Sequence, residues 1–336
     1  MTRDPGVRVL AVIASLALLP AAAAAQTEFR AVSIVVGSSA GGGYDTYARI
    51  LARHMSRHVP GQPGIIVQNM PGASSLKAVQ YLDTSAPKDG SVMAAFNPGL
   101  LNESLLNADK IRFKFSDVAW VGSITRDLRA CYAWAATGIK TFDDLRKYKQ
   151  FNIGAPAQGT SSFVNAAVLK NMFGIAVRHV TGYAGSAEQR LAIERGELDG
   201  DCGAWSSVPQ DWIKNRKVNP VISFAPVPIP GLPPSIPFAG DLAPGQEAKE
   251  VLNVLMSADA LGRPFVVSKQ VPADRLAILR TAFDATTKDA QFLAETEKLD
   301  LPVVGTISGP EAEQIVASIY AASPGVIARA QAIVGK

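Results

Sequence analysis

Short apolar runs rich in β-branched residues alternate with helical patterns in the first third of the chain. Apolar runs at 31–36, 65–68 and 91–96 predict strands, and helical patterns at 44–58 and 75–82 lie between them. Within the first of these helices Tyr47, Leu51 and Met55 recur every four residues, so an apolar stripe faces the sheet. The order strand–helix–strand–helix–strand predicts an α/β lobe with a largely parallel sheet.

A second alternating series starts near residue 130. It predicts strands at 130–135, 151–155, 177–181 and 198–204, with helices at 141–148, 163–173 and 187–195. Residues 226–238 contain six prolines, which exclude a helix or a central strand and indicate an extended connection. Two amphipathic helices follow, at 273–289 and 310–321.

The order of these elements predicts two α/β lobes with a cleft between them. We expect the first lobe to begin with residues 26–127 and the second lobe to comprise residues 128–224. Residues 225–336 are then a connection that returns to the first lobe.

The first 25 residues have the pattern of a secretory signal peptide. Arg3 and Arg8 precede an apolar run over 9–19, and Ala23-Ala24-Ala25 fits a small-residue cleavage site. The alternative is a retained membrane anchor, but a helix over that run would span only about 16 Å of a bilayer core about 30 Å thick. We therefore predict export to the periplasm with cleavage near Ala25.

Charge and cysteine content narrow the function. The formal net charge of +4 comes without Lys/Arg clusters, so the chain lacks the electrostatic footprint of a nucleic-acid-binding protein. The glycine-rich segment lacks both the Walker and the G-x-G-x-x-G spacing, and we expect no cofactor. In an oxidising compartment Cys131 and Cys202 form either one disulfide or two buried thiols, and the sequence does not decide between them.

Two loops share one design, because each links the end of a predicted strand to the start of a predicted helix. Such helix starts offer unpaired amides and partial positive charge, which suit a carboxylate. The alternatives are a tight turn capped by Asp45 in the first loop and an ordinary hydroxyl helix cap in the second. The predicted binding residues of the two loops are Ser38, Ser39, Gly41, Gly42, Gly43, Tyr44 and Asp45, and Ala157, Gln158, Gly159, Thr160, Ser161 and Ser162.

Further candidates follow other predicted strands. Asn97 and Pro98 follow the strand at 91–96, and Tyr183, Ser186 and Trp205 lie in two later clusters. The aromatic rings could cover the carbon chain of a ligand, and Ser186 could donate a hydrogen bond. The alternative for these residues is packing in the core or at its rim.

Catalytic and metal-binding patterns are sparse. His54 and His58 are four apart on one helix face, but no Glu stands at the H-E-x-x-H position and no third ligand is evident. An exported hydrolase or isomerase would need a base near the loops, and Asp45 and Asp201 are the candidate carboxylates. Asp45 is more simply interpreted as a helix cap.

Several separated motifs, in the right order, resemble those of the periplasmic receptors of tripartite tricarboxylate transporters, also called Bug receptors. The resemblance spans nearly the whole chain after residue 25. The segments that carry it are 34–36 with 40–49, 67–73, 86–90, 154–156 with 159–162, 183–186, and 196–199. Many members have Pro-Phe-Ala-Ala where this chain has Gly37-Ser38-Ser39-Ala40, and Gln158 and Phe163 replace a frequent glycine and histidine.

This resemblance implies a type II periplasmic-binding-protein fold, a hinge and no catalysis. It also implies that residues 38–44 and 157–162 grip a carboxylate, partly through ordered water. We therefore expect a monomeric receptor that captures a small carboxylate, a di- or tricarboxylate, and delivers it to integral-membrane transporter subunits.

Overall fold

The computed structural model describes residue 2 and residues 28–335. Apart from residue 2, the predicted signal peptide over 1–25 lies outside the described residues. Within residues 28–335 the strands are β1 (Ala31–Val36), β2 (Gly64–Asn69), β3 (Val92–Ala95), β4 (Val118–Ser123), β5 (Ala130–Trp134), β6 (Phe151–Ala155), β7 (Val177–Thr181), β8 (Gly200–Asp201), β9 (Val218–Ser223), β10 (Pro264–Ser268) and β11 (Ile307–Ser308). The helices are α1 (Gly43–Met55), α2 (Leu76–Thr84), α3 (Gly99–Leu106), α4 (Phe142–Lys147), α5 (Ser161–Asn171), α6 (Ser186–Glu194), α7 (Gln210–Lys214), α8 (Ala239–Leu242), α9 (Gln246–Ser257), α10 (Ala273–Lys288), α11 (Ala290–Lys298), α12 (Gly309–Tyr320) and α13 (Pro324–Val334).

The first lobe is built on a six-stranded sheet of order β11-β4-β10-β3-β1-β2. Strands β2, β1 and β3 are parallel, whereas β10 runs antiparallel to both β3 and β4. Helices α1, α10 and α11 cover one face, where Tyr47, Leu51 and Met55 are fully buried with Phe283. Helices α2, α3 and α12 cover the other face around Trp120. The predicted apolar stripe of the first helix therefore faces the sheet.

The second lobe is built on a five-stranded sheet of order β7-β6-β8-β5-β9. Strand β6 is parallel to β7 and β8, and β5 is antiparallel to β8 and β9. The predicted strand at 198–204 is shorter than expected, because only Gly200 and Asp201 form a regular strand and Ala204 adds an isolated bridge to Arg129. Helices α5, α9 and α13 share one apolar cluster on this sheet.

The C-terminal third of the chain contributes to both lobes. Strand β10 and helices α10, α11 and α12 pack with the first sheet, as expected for a returning chain. Val251 and Leu252 of α9, with Ala330 and Val334 of α13, instead pack in the core of the second lobe. The proline-rich residues 226–238 form no helix or regular strand.

Two adjacent segments, 124–129 and 258–263, carry the chain between the lobes. The Asp127 amide donates to the Asp259 carbonyl at 2.7 Å, and the Ile124 amide donates to the Arg263 carbonyl at 3.1 Å. Gly262 lies so close that a Cβ on it would be 2.2 Å from the Asp127 nitrogen. A third crossing, residues 321–323, joins α12 of the first lobe to α13 of the second. We name the paired segments 124–129 and 258–263 the hinge segments.

Cys131 and Cys202 form a disulfide, with their Cα atoms 3.9 Å apart. Cys131 lies on β5 and Cys202 directly follows β8, and these two strands are neighbours in the second sheet. Among the residues that the structure describes, no helix combines the length and the apolar character needed to span a bilayer.

Candidate functional site

A cleft of about 350 Å³ lies between the lobes, where strands of both sheets end. Parallel strands end at one edge of a sheet, so the loops that follow them converge there. The loops after β1 and β3 converge in the first lobe, and those after β6, β7 and β8 converge in the second. The predicted residues that line this cleft are Ser38, Gly42, Gly43, Tyr44, Asn97, Ala157, Thr160, Ser162, Tyr183 and Ser186.

Asp45 holds the backbone of the first loop by hydrogen bonds and does not line the cleft. Its carboxylate, only 3% exposed, accepts hydrogen bonds from the Gly41 amide at 2.9 Å, from Arg49 at 3.0 Å and from Asn69 at 2.8 Å. Burial by itself would raise the pKa of this carboxyl, but the hydrogen bonds from Arg49, Gly41 and Asn69 outweigh it and hold the pKa below its usual value. Gly41, at φ +77°, turns the backbone into this contact. Asp45 is therefore ionised and holds the tight turn in place, as the turn alternative expected, but it is not the cap of α1, because it accepts the Gly41 amide and the N-cap is Gly42.

The first loop leaves polar groups free at the cleft. Gly42 is the N-cap of α1 and supplies no side-chain bond, so the opening amides of the helix have no capping partner. The hydroxyl oxygens of Ser38 and Ser39 are buried without a hydrogen-bond partner among the described residues. A Cβ on Gly43 would lie 2.9 Å from Ser207 Oγ, so the second lobe comes close to the first loop at this glycine.

The second loop also leaves a helix start uncapped. Thr160 is the N-cap of α5, but its hydroxyl donates to the Ala157 carbonyl at 2.9 Å and accepts no hydrogen bond from a helix amide among the described residues. The alternative of an ordinary hydroxyl cap is therefore wrong for Thr160, and the opening amides of α5 remain available. Helix α5 begins at Ser161, two residues earlier than predicted, because Ser161 and Ser162 adopt the first helical turn.

Three residues of the second loop contact the first lobe and do not line the cleft. Ser74 Oγ donates to the Gln158 carbonyl at 3.0 Å. A Cβ on Gly99, at the start of α3, would lie 2.6 Å from both the Gly159 oxygen and the Ser161 nitrogen. Pro98, the N-cap of α3, lies in the same contact region outside the cleft lining.

The later clusters divide between cleft and core. Tyr183 and Ser186 line the cleft, and a Cβ on Gly42 would lie 3.8 Å from Ser186 Oγ across it. Trp205 is 4% exposed and packs in an apolar cluster, with its ring centroid 6.4 Å from that of Tyr132. The packing alternative is therefore the one that describes Trp205. Ser39 and Gly41 also lie outside the cleft lining.

Two buried arginines that the sequence analysis did not select also line the cleft. Arg129 Nε donates to Asp259 Oδ1 at 3.0 Å, and its Nη2 donates to Asp127. Arg263 Nη1 lies 3.1 Å from Asp127 Oδ1, and its guanidinium lies 4.7 Å above the centroid of the Tyr44 ring. Both arginines are 3% exposed and belong to the hinge segments. Each precedes an apolar strand by one residue, which is the only sequence signal that could have marked them.

Asp201 is the one carboxylate side chain in the cleft lining. Burial raises its pKa to about 6, although the Cys202 amide and the charges of Arg129 and Arg190 oppose the shift. Burial also raises the pKa of Asp259 in the hinge; Arg129 opposes that shift and Asp127 adds to it. The lining further includes residues 71–75, which the sequence analysis considered only as part of a resemblance.

His54 and His58 lie away from the cleft on α1. Their Nε2 atoms contact Glu295 at 2.5 Å and Asp289 at 3.1 Å, so both rings pair with carboxylates of the same lobe. Within the described part of the chain, no group of three or more His, Cys, Asp and Glu side chains is arranged to hold a metal ion.

Comparison with known proteins connects this geometry to a family. The sequence profile described as "Tripartite tricarboxylate transporter family receptor" matches residues 47–215. A protein of Cupriavidus necator, "UPF0065 protein in gbd 5'region", is 27% identical over 202 residues, which cover 57% of this chain and 59% of that protein. The alignment thus spans about three fifths of the Cupriavidus protein.

Two solved structures have the same fold. MatC from Rhodopseudomonas palustris with bound malate aligns with a TM-score of 0.70 and 19% identity, covering 91% of this chain and 99% of that one. A second R. palustris protein, solved with adipate, aligns with a TM-score of 0.71 and 18% identity, covering 91% and 97%. Both are two-lobed, and the expectation of a two-lobed α/β fold with a cleft between the lobes is confirmed.

Proposed function

Because the chain belongs to the tripartite tricarboxylate transporter receptor family, we propose that it is a periplasmic receptor for a small carboxylate. It holds the solute between its lobes and delivers it to the integral-membrane subunits of a tripartite tricarboxylate-type transporter. It does this as a monomer, exported by the signal peptide over residues 1–25. The first lobe begins with 26–127, and 128–224 supply the sheet of the second lobe, whose core α9 and α13 complete.

One observation carries this proposal: two uncapped helix starts, one from each lobe, open onto a single cleft. The Gly42 cap of α1 offers no side chain, and the Thr160 hydroxyl of α5 is turned to Ala157. Unpaired amides at a helix start attract an anion, and each charge-assisted hydrogen bond contributes about 1.5–3 kcal/mol. The unpartnered hydroxyl of Ser38, which lines the cleft, adds a donor on the first-lobe side. Malate and adipate, present in the two structural relatives, are small carboxylates, and a cleft of about 350 Å³ has room for a molecule of that size.

Binding is coupled to closure of the lobes. A carboxylate that bridges α1 and α5 is fully bonded only when the lobes are together, so it raises the closed population. The hinge segments 124–129 and 258–263 are the places where the backbone can absorb this motion. A transporter can then distinguish a loaded receptor from an empty one.

The cleft is proposed to bind its solute without changing it. Of the two carboxylates that an exported hydrolase or isomerase could use as a base, Asp45 is held ionised by Arg49, Gly41 and Asn69. Asp201 is the remaining candidate base, and the cleft lining contains no histidine that could act with it. A receptor returns its ligand intact, whereas an enzyme releases a product.

A thermal-shift screen of the ligand-free protein over residues 26–336 tests the proposal. The probes are mono-, di- and tricarboxylates of graded length, with aromatic acids and neutral amides for comparison. A ligand at one hundred times its Kd stabilises the folded state by about 2.7 kcal/mol, which is a clear shift in Tm. We expect at least one di- or tricarboxylate to give that shift and to be recovered unchanged, as judged by NMR after overnight incubation. Conversion of the ligand, or shifts with amides alone, would contradict the proposal.

A further inference from the structure

Asp201 places a carboxylate in a cleft that is otherwise built to receive one. It is the last residue of β8, is 7% exposed, and lines the cleft on the side of the second lobe. Its Oδ1 accepts the Cys202 amide at 2.8 Å. Its Oδ2 lies beside Gly203, where a Cβ would come within 2.7 Å, and receives no hydrogen bond from the residues that the structure describes. The glycine at 203 leaves this oxygen open to the cleft.

The neighbouring cations do not neutralise this oxygen. Arg129 and Arg263 are the only cations in the cleft lining within the described residues, and both are ion-paired to Asp127, with Arg129 also paired to Asp259. With Asp201 included, two guanidinium groups of the lining face three carboxyl groups. Arg190, whose charge also acts on Asp201, lies outside the lining and donates to the Ser207 carbonyl at 3.2 Å, so cations and carboxyl groups are at most equal in number. The inner end of the cleft therefore carries no surplus positive charge for a further carboxylate.

A ligand carboxylate next to Asp201 Oδ2 would be repelled, and a plain methylene would leave a desolvated oxygen without a donor. The first arrangement lowers affinity by repulsion between like charges. The second lowers it because a buried polar group without a partner pays its full desolvation cost. A hydroxyl or an ammonium group on the ligand removes that cost by donating to Oδ2. The ammonium group also removes the unfavourable charge.

We propose that Asp201 selects, among small carboxylates, those that also carry a hydroxyl or ammonium group, and that Oδ2 accepts a hydrogen bond from that group. This inference rests on the proposed function, since it names the substrate class of the same site. The carboxylate of the ligand lies at the helix starts of α1 and α5, and its donor group lies at the end of β8.

Matched ligands that differ at one atom test this inference by calorimetry. The four-carbon set is succinate, malate and aspartate, and the five-carbon set is glutarate, 2-hydroxyglutarate and glutamate, each in both enantiomers where they exist. In at least one of the two sets, we expect the hydroxy or amino form to bind at least tenfold more tightly than the plain diacid of the same length. Asp201→Asn removes the charge and keeps the shape, so the amino form is expected to lose at least tenfold in affinity and the hydroxy form several-fold. The plain diacid is expected to bind the variant as well as or better than the wild type.

The control is Asp211→Asn, the same change at an exposed position paired with Lys217, which should alter no affinity. Asp201→Ser is a second variant, and melting of the ligand-free proteins shows that each one folds. Plain diacids that bind as tightly as the substituted forms, or a preference that survives Asp201→Asn, would overturn the role of Asp201 and leave the receptor function standing. If no carboxylate binds the wild type, the proposed function fails together with this inference.

Discussion

Gly99 and Gly159 come together across the boundary between the lobes, where a Cβ on Gly99 would lie 2.6 Å from the Gly159 carbonyl oxygen. Gly99 opens α3 in the first lobe, and Gly159 belongs to the loop that leads into α5 in the second lobe. The Ser161 amide nitrogen is equally close to that position. The obstruction that any larger residue would meet is backbone, which cannot rotate away as a side chain can.

Gly99→Ala is therefore expected to resist closure of the lobes without disturbing either core. We expect ligand affinity to fall at least tenfold, while the unfolding free energy of the ligand-free protein changes by less than about 1 kcal/mol. Calorimetry measures the affinity, and small-angle scattering measures how far the lobes close with saturating ligand. Gly64→Ala, at an open position on β2, is the matched control. Wild-type affinity in Gly99→Ala would show that the lobes do not need this contact.

Gly42→Val tests the first loop as a binding surface. Gly42 has φ −79° and ψ 166°, which a valine adopts without strain, and the nearest atoms to its Cβ would be the Ser39 oxygen at 3.5 Å and Ser186 Oγ at 3.8 Å. We expect the variant to fold with a Tm near that of the wild type and to bind its carboxylate at least a hundredfold more weakly, because the branched side chain fills the space of the ligand. Gly64→Val supplies the control for adding a valine at an open glycine. Undiminished binding by Gly42→Val would place the site elsewhere.

The disulfide between Cys131 and Cys202 closes a long loop in the second lobe. Its ends are 71 residues apart, and a loop of that size constrains the unfolded chain by about 2–4 kcal/mol. The double variant Cys131→Ala with Cys202→Ala is expected to lose about that much unfolding free energy in urea titrations. Reductant should destabilise the wild type in the same direction and leave the double variant unaffected. A loss below about 1 kcal/mol in the double variant would contradict this account.

The raised pKa of Asp201 gives the ligand-free protein a defined pH dependence. Burial, opposed by Cys202, Arg129 and Arg190, raises this pKa to about 6 from the usual 3.8. The folded state therefore binds the proton more tightly than the unfolded state, and this contribution is full below pH 3.8 and is lost as the pH rises through about 6. The full contribution is about 3 kcal/mol, of which about 2 kcal/mol is lost between pH 4.5 and pH 7.5.

Asp201→Asn should accordingly flatten the stability profile between pH 4.5 and pH 7.5. Urea unfolding at these two pH values is expected to show a fall in the wild type that exceeds the fall in the variant by about 2 kcal/mol. Asp259 also has a raised pKa, but it is present in both proteins and cancels in the comparison. An identical fall in both proteins would mean that Asp201 titrates as it does in the unfolded chain.

Local pattern was enough to predict most of the elements and the two loops. The four-residue recurrence of Tyr47, Leu51 and Met55 predicted the buried face of α1, since helical periodicity is a property of the chain itself. The run of glycines and the Gly159–Ser162 segment predicted two helix starts that face a cleft. The predicted signal peptide lies outside the residues on which the structure can report.

Tertiary structure decided which side of each loop the ligand can reach. Asp45 and Tyr44 are neighbours in sequence, yet Arg49 and Asn69 draw Asp45 behind the loop while Tyr44 lines the cleft. Trp205 packs beside Tyr132 in the core. The returning chain places Arg263 near Arg129, and both arginines pair with Asp127. Helix and strand periods follow from the local conformation of the backbone, so the sequence determines them. Contacts between residues on different elements, from 24 positions apart for Asp45 and Asn69 to 136 for Asp127 and Arg263, depend on how the elements pack, and only the folded chain contains them.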